Sequence, residues 1–174
     1  MQLDSLPAQT LLAAARQAGA APEIRCIALL AQAATGYALH SAFQRELARC
    51  GLTQSGFDIL SVLLAHEPEA VLRSDLAVAA GLSSMRTDDA LIRLEMSQLV
   101  QRKRDGQDRR LVWLRLTDAG REQVTEALRR YVAGASLVTE AMEERELSAS
   151  IAIFGKLRLG AARLSLEPAF STAN

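Results

Sequence analysis

Apolar side chains recur at helical spacing along most of this chain, and the places where the rhythm breaks divide it into elements. Residues 8 to 18 make a short Ala-rich helix, closed by the stretch from Gly19 to Pro22. From Glu23 to Arg49 a longer helix is predicted, with Ile24, Ile27, Ala31, Ala34, Ala38 and Ala42 forming a small-residue stripe. Thr53 is placed to N-cap the next helix, whose face of Phe57, Leu60 and Leu64 is widened by Ile59 and Leu63. Pro68 forbids its continuation. A short helix then runs through Leu76 to Ala80 and meets Gly81, a residue favoured just past a helix C-terminus. Only Leu82 separates it from Ser83, which can cap a further helix from Ser84 to about Ser97. Two helices joined this tightly are either an ordinary αα corner or a helix-turn-helix.

After Leu99 the period shortens to two. Leu99 to Arg104 reads as a strand, and Asp105-Gly106 is the dipeptide that a tight hairpin turn prefers. Val112, Leu114 and Leu116 then alternate with Leu111, Trp113 and Arg115, the mark of a half-buried strand. A helix-turn-helix followed directly by a hairpin is a winged helix. Two helices close the chain. One has Val124, Leu128, Tyr131, Val132, Ala135 and Val138 on a single face; the other repeats Leu147, Ile151, Phe154, Leu157, Ala161 and Leu164 at nearly heptad steps. With the first long helix, they offer more apolar surface than a small winged module covers, which a dimer interface explains. The expected fold class is mainly α with a small β-hairpin wing. Residues 1-50 are N-terminal dimerisation helices, 51-118 the winged helix-turn-helix lobe, and 119-174 C-terminal dimerisation helices.

Charge sharpens this picture. Lys+Arg and Asp+Glu are equal at 20 each in 174 residues, so any polyanion must be attracted by local clustering. Arg102, Lys103, Arg104, Arg109 and Arg110 provide that cluster, on the hairpin. Cys26 and Cys50 are too few for a disulfide framework or a Cys-rich zinc site, and His40 and His66 add no ligand set, so no metal or cofactor is expected. The chain has no G-x-S-x-G, no phosphate-cradling Gly loop and no H-E-x-x-H, and it reads as a non-enzyme. Its start lacks the pattern of a signal peptide, and no continuous apolar run reaches the roughly 18 residues of a membrane span. A cytoplasmic protein without membrane contact is the expectation.

The stretches "GLTQSGFDIL", "DLAVAAGLS", "IRLEMSQLV" and above all "RKRDGQDRRLVWLRLTDAG" resemble the multiple antibiotic resistance regulator (MarR) family of bacterial winged-helix transcription factors. The likeness covers about residues 23 to 165, and the last stretch matches the family's Asp-Arg-Arg, alternating strand and Leu-Thr-x-x-Gly. It implies a homodimer joined through N- and C-terminal helices, binding a pseudo-palindromic double-stranded DNA operator, most simply as a repressor, and released by a small ligand or an oxidant. On that pattern the DNA-binding residues are Ser83, Ser84, Arg86, Thr87 and Arg93 on the recognition helix, with Arg102, Lys103, Arg104, Gln107, Arg109 and Arg110 on the wing. Asp108 pairs with Arg110 to shape the wing, while Arg109 or Gln107 reaches the minor groove. The sequence departs from the family in two places. Gln98 stands where a Gly is common. On a helical wheel Thr87, Ala90, Leu91 and Leu94 form the buried face of the recognition helix, and the opposite, outward face carries Met85, Asp89, Ile92 and Met96, with Arg86 and Arg93 on one flank and Asp88 on the other. A face of this kind is poor company for phosphate, although an acidic residue can accept from cytosine N4 and an apolar one can touch a thymine methyl.

For the effector, a small aromatic or phenolic compound in the cleft between the dimer helices and the winged lobe is expected, lined by His40, Phe43, Phe57, Asp58 and Ser61. Alternatives are thiol-based redox sensing through Cys26, or a winged-helix protein-interaction module that binds no DNA. Cys26 lies upstream of the position used by the family's hydroperoxide-sensing branch and lacks that branch's partner tyrosines; without a cation or donor to stabilise a thiolate, it reads more simply as an inert small hydrophobe.

Overall fold

A computed structural model describes residues 6–19, 24–108 and 110–166. Among them the elements run α1 (Leu6–Gln17), α2 (Ile24–Arg49), α3 (Gln54–Ala65), β1 (Val71–Leu72), α4 (Arg73–Ala79), α5 (Ser84–Met96), β2 (Val100–Arg104), β3 (Val112–Leu116), α6 (Asp118–Val138) and α7 (Glu144–Leu166). The chain divides into two compact units, Met1–Tyr131 and Val132–Asn174.

In the first unit the core forms where α3, α4 and α5 close over the sheet. Leu60, Leu63, Leu76, Leu91, Leu114 and Val124 are fully buried there. Each side chain of this size contributes about 1.5–3 kcal/mol by leaving water. The α5 face predicted to be buried is buried, residue for residue: Thr87, Ala90, Leu91 and Leu94. α1 packs along α2, with Leu12 as its buried side chain. α2 is interrupted by Gln32, Thr35, His40 and Ser41, as the sequence shows, yet an 18-residue window reaches a mean hydropathy of 1.2. By length and composition it therefore meets the measure of a membrane-crossing helix, although it packs here against α1 and α3.

Three helices end in the same backbone motif. At the end of α4, Gly81 at φ +64° lets its own N–H reach Val78 O (3.1 Å) and the Leu82 N–H reach Ala77 O (3.0 Å). α2 closes in the same way at Gly51 and Leu52. In α5 the position belongs to Gln98, at φ +57°, with its N–H on Glu95 O (2.9 Å) and the Leu99 N–H on Leu94 O (2.9 Å). This is the Schellman cap, which needs a left-handed residue and normally uses Gly. The helix therefore stops where a Gly would stop it, with a side chain in a conformation that disfavours one.

The sheet is antiparallel in the order β1-β3-β2. β1, which the sequence does not announce, adds Val71 opposite Leu114 and Leu72 opposite Trp113. β2 pairs with β3 from Val100 opposite Leu116 to Arg104 opposite Val112. One expectation is corrected between them. β2 ends at Arg104 and β3 begins only at Val112, so the strands are not joined by a tight two-residue turn, and Gly106 is not left-handed. The Asp105 carboxylate organises this loop: its Oδ1 accepts from the N–H groups of Gln107 (2.8 Å) and Asp108 (3.1 Å), and the Asp105 N–H donates to Leu111 O (3.0 Å). An Asp that turns the chain with its side chain makes positive φ unnecessary.

The Leu-Thr-x-x-Gly segment, Leu116 to Gly120, locks the start of α6 to the end of α5. Thr117 Oγ1 donates to Gln98 O (2.8 Å) and accepts from the Gly120 N–H (2.9 Å), while the Thr117 N–H donates to Leu99 O (3.1 Å). Gly120 meets the Leu99 backbone so closely that a Cβ would lie 2.0 Å from Leu99 O. In the second unit, α7 carries Ile151, Phe154, Leu157 and Leu159 in exposed positions. Leu164, predicted on the same stripe, has its side chain outside the described ones.

Candidate nucleic-acid interface

α5 is capped by Ser83, whose Oγ accepts from the Arg86 N–H at 3.4 Å. Ser84, Arg86 and Arg93 are exposed on or beside its outward face. Thr87 is not: it is fully buried and its Oγ1 donates to Ser83 O (3.0 Å), so the core and not a DNA surface claims it. The helical period that puts Thr87 one turn below Ala90 and Leu91 decides this.

Arg86 reaches back to α3, where its Nη2 donates to Ser55 Oγ (3.3 Å). Thr53, Ser55, Arg86, Asp89, Ala90 and Arg93 line a shallow groove of about 190 Å³ between the two helices. The other carboxylates of α5 are neutralised. Asp88 is held by Arg73, which donates from Nε (2.7 Å) and Nη2 (2.5 Å) and also bonds Ser84 Oγ (2.9 Å). Glu95 faces Arg102, whose Nε lies 2.7 Å from Oε1. That contact is an ion pair without hydrogen-bond alignment, since Oε1 is buried and accepts no hydrogen bond.

Strand periodicity explains Arg102. It lies opposite the buried Leu114 and two residues from the buried Val100, so it shares their helix-facing side of the sheet. Its guanidinium pairs with the Glu95 carboxylate of α5. Lys103 and Arg104 are exposed and make no ion pair with a described residue, as is also true of Arg115 on β3. At the loop, Arg110 pairs with Asp108, with Nε to Oδ1 at 3.1 Å and Nη2 to Oδ2 at 3.2 Å, and its backbone N–H adds a third bond. Those bonds hold the Asp108 carboxyl below the usual carboxylate range. Backbone donation from Gln107 and Asp108 does the same for Asp105, with a further hydrogen bond from Trp113. Gln107 is exposed. Arg109 lies outside the described residues.

The residues expected to line an effector cleft are distributed as follows. Phe43 on α2 and the buried Phe57 on α3 both meet the ring of Tyr131, at centroid distances of 4.3 and 5.7 Å. His40 is exposed. Asp58 is half-buried, and desolvation raises its pKa against the opposing effects of Gln54 and Arg86. Gln44 Nε2 donates to Gln54 Oε1 (3.2 Å), and Gln54 Nε2 donates to Asp58 Oδ1 (2.8 Å), so a polar chain runs from α2 into α3. Ser61 Oγ is buried with no hydrogen-bond partner. Cys26 is exposed on α2, and Cys50 packs partly against the core. No group of three His, Cys, Asp or Glu among the described residues is placed to hold a metal ion.

Sequence reasoning missed Arg73, Ser55, Gln54 and Tyr131. The first three act through partners on other elements. Tyr131 was visible, but only as one position of an apolar stripe.

No protein-family model matches the chain. Over 74 residues, 42% of this chain, it is 32% identical to the uncharacterised HTH-type transcriptional regulator YdgJ of Bacillus subtilis, and the match spans 44% of that protein's length. Over the fold it is similar to AbsC, a MarR family transcriptional regulator from Streptomyces coelicolor, at 25% identity and a TM-score of 0.68, covering 80% of this chain and 93% of AbsC. It is also similar to S. aureus MepR as seen in a MepR–DNA complex, at 21% identity and a TM-score of 0.65, covering 72% of this chain and 92% of that one. The chain has the winged-helix fold of the MarR family of transcription regulators, whose members are its structural neighbours.

Proposed function

We propose that this protein is a cytoplasmic, homodimeric, sequence-specific DNA-binding regulator of the MarR type, a repressor that a small aromatic ligand releases. The observation that carries DNA binding is the hairpin beside α5, which holds Lys103 and Arg104 exposed and without an ion pair to any described residue, in a chain with no net charge. Such cations gain by releasing counterions from phosphate. The exposed apolar residues of α2, α6 and α7, among them Ile24, Leu29, Val132, Leu137 and Ile151, support a second copy as partner. For the effector, the half-buried Asp58 and the unpartnered Ser61 Oγ supply polar groups that a phenolic hydroxyl can satisfy.

The test is binding to a labelled fragment of the promoter beside the protein's own gene, titrated in salt, for the wild type and Arg104→Ala. The expected result is salt-sensitive binding whose log–log slope falls by about one per subunit in the variant. Binding that is absent at low salt, or indifferent to salt, would overturn the reading in favour of a protein-interaction module. Release from the fragment by phenolic compounds, weakened in Asp58→Ala, checks the effector.

A further inference from the structure

The outward face of α5 is unusual for a helix meant to lie against phosphate. Met85, Ile92 and Met96 are 73%, 53% and 80% exposed, and all belong to one face. The ion pairs around them change how that face reads. Asp88 is drawn off by Arg73, and Glu95 by Arg102, so neither projects a free charge. Asp89 alone among the α5 carboxylates forms no ion pair with a described residue. Arg86 and Arg93 are exposed beside it. The surface is thus a row of apolar tips with one acceptor, bordered on one side by the cations Arg86 and Arg93 and on the other by the ion-paired Asp88 and Glu95. This matches the major-groove edge of DNA, where the thymine C5-methyl is the apolar feature and cytosine N4 is a donor that a carboxylate accepts. Spacing fits as well. At about 1.5 Å of rise per residue, Met85 and Ile92 stand about 10 Å apart, close to three base-pair steps, with Asp89 between them.

We infer that α5 reads its DNA site chiefly through thymine methyl groups, contacted by Met85 and Ile92, with Asp89 accepting from the N4 amino group of an intervening cytosine. The inference rests on the DNA-binding reading and specifies how that surface discriminates. A contacted methyl buried against Met or Ile is worth up to about a fourfold change in affinity.

The experiment starts from a random-sequence duplex pool, selected for binding to the full chain. The enriched duplex is then resynthesised with deoxyuridine replacing thymine one position at a time, which removes only the methyl. The expected result is a two- to fourfold loss at two or more positions in each half-site, as estimated from the burial of one methyl group. Met85→Ala, an exposed substitution that leaves the fold intact by circular dichroism, abolishes the loss at one of them. Selection with Asp89→Asn shifts the intervening position from cytosine towards adenine, whose N6 and N7 an amide pairs with. Enriched duplexes that bind tightly yet tolerate deoxyuridine everywhere overturn the inference and leave the DNA-binding reading standing. A pool that yields no enriched sequence overturns both.

Discussion

Replacing Gly120 by Ala tests the lock between α5 and α6. In a helix interior this exchange normally stabilises by about 1 kcal/mol, because Ala is the better helix former. Here the added Cβ would lie 2.0 Å from Leu99 O, 2.9 Å from Leu99 C and 3.3 Å from Leu99 Cα, all backbone atoms. Cβ contacts under 3.0 Å are essentially never seen, so α6 must withdraw by about 1 Å. The groups it would leave are specific. The Thr117 N–H loses its 3.1 Å bond to Leu99 O, and Thr117 Oγ1 its 2.8 Å bond to Gln98 O. Two such bonds are worth about 2 kcal/mol together, and overpacking against a rigid neighbour costs about 1–3 kcal/mol by a different route. The two estimates describe alternative responses to one clash and are not added. With the helix-propensity gain set against the upper part of this range, the net is a destabilisation of about 1–2 kcal/mol, which lowers Tm by about 2–8 °C for a chain of this size. The assay is thermal and urea unfolding followed by circular dichroism, with Gly106→Ala as control. Gly106 has nothing within 4 Å of its virtual Cβ and is not left-handed, so that change stays within about 0.5 kcal/mol. A Gly120→Ala protein as stable as the wild type would refute the close approach and the reason given for the Gly in this motif.

Gln98→Gly should raise the urea midpoint, because relief of a left-handed side chain, about 1–2 kcal/mol, outweighs the extra freedom of Gly in the unfolded chain, about 0.5–1 kcal/mol; an unchanged or lower midpoint would refute it. Asp58→Asn tests the half-buried carboxyl. Because burial raises its folded pKa, the wild type's stability contribution is full below the ordinary carboxylate value of about 3.9 and declines as pH rises through the raised one. The Asn variant should therefore gain on the wild type between pH 3 and pH 7 in paired melts, and a difference that stays flat with pH would count against this. Glu95→Gln removes the partner of Arg102, so low-salt DNA affinity should rise and the salt slope steepen by up to about one per subunit. A drop in affinity instead would mean that the pair's main service is to hold the wing against α5.

Much of the fold was legible because its signals are local. The caps at Thr53 and Ser83, the four-residue buried face of α5 and the two strands of the wing follow from periodicity and capping chemistry that neighbouring residues supply. The Asp108–Arg110 pair, implied by the resemblance, is present and is likewise a contact between near neighbours. At Gln98 the sequence marked a missing Gly, and the structure shows the helix closing there in left-handed geometry all the same. Other features depended on chain segments meeting. β1 is two residues long and exists only because β3 is there to pair with it. The long wing loop replaced a tight turn because one Asp side chain took over the backbone's task.

The interface changed most between the two levels. Read along the chain, α5 carries carboxylates on and beside its outward face, and Arg102 is one more cation of the wing cluster. In the folded chain Arg73 takes Asp88 across 15 positions of sequence, and the strand register turns Arg102 onto Glu95. Composition and periodicity determined which charges exist and which residues enter the core. Which charges cancel, and which remain to meet a partner, was decided by how α4, α5 and β2 are brought together, since ion pairing depends on distance in space and a sequence specifies distance only along the chain.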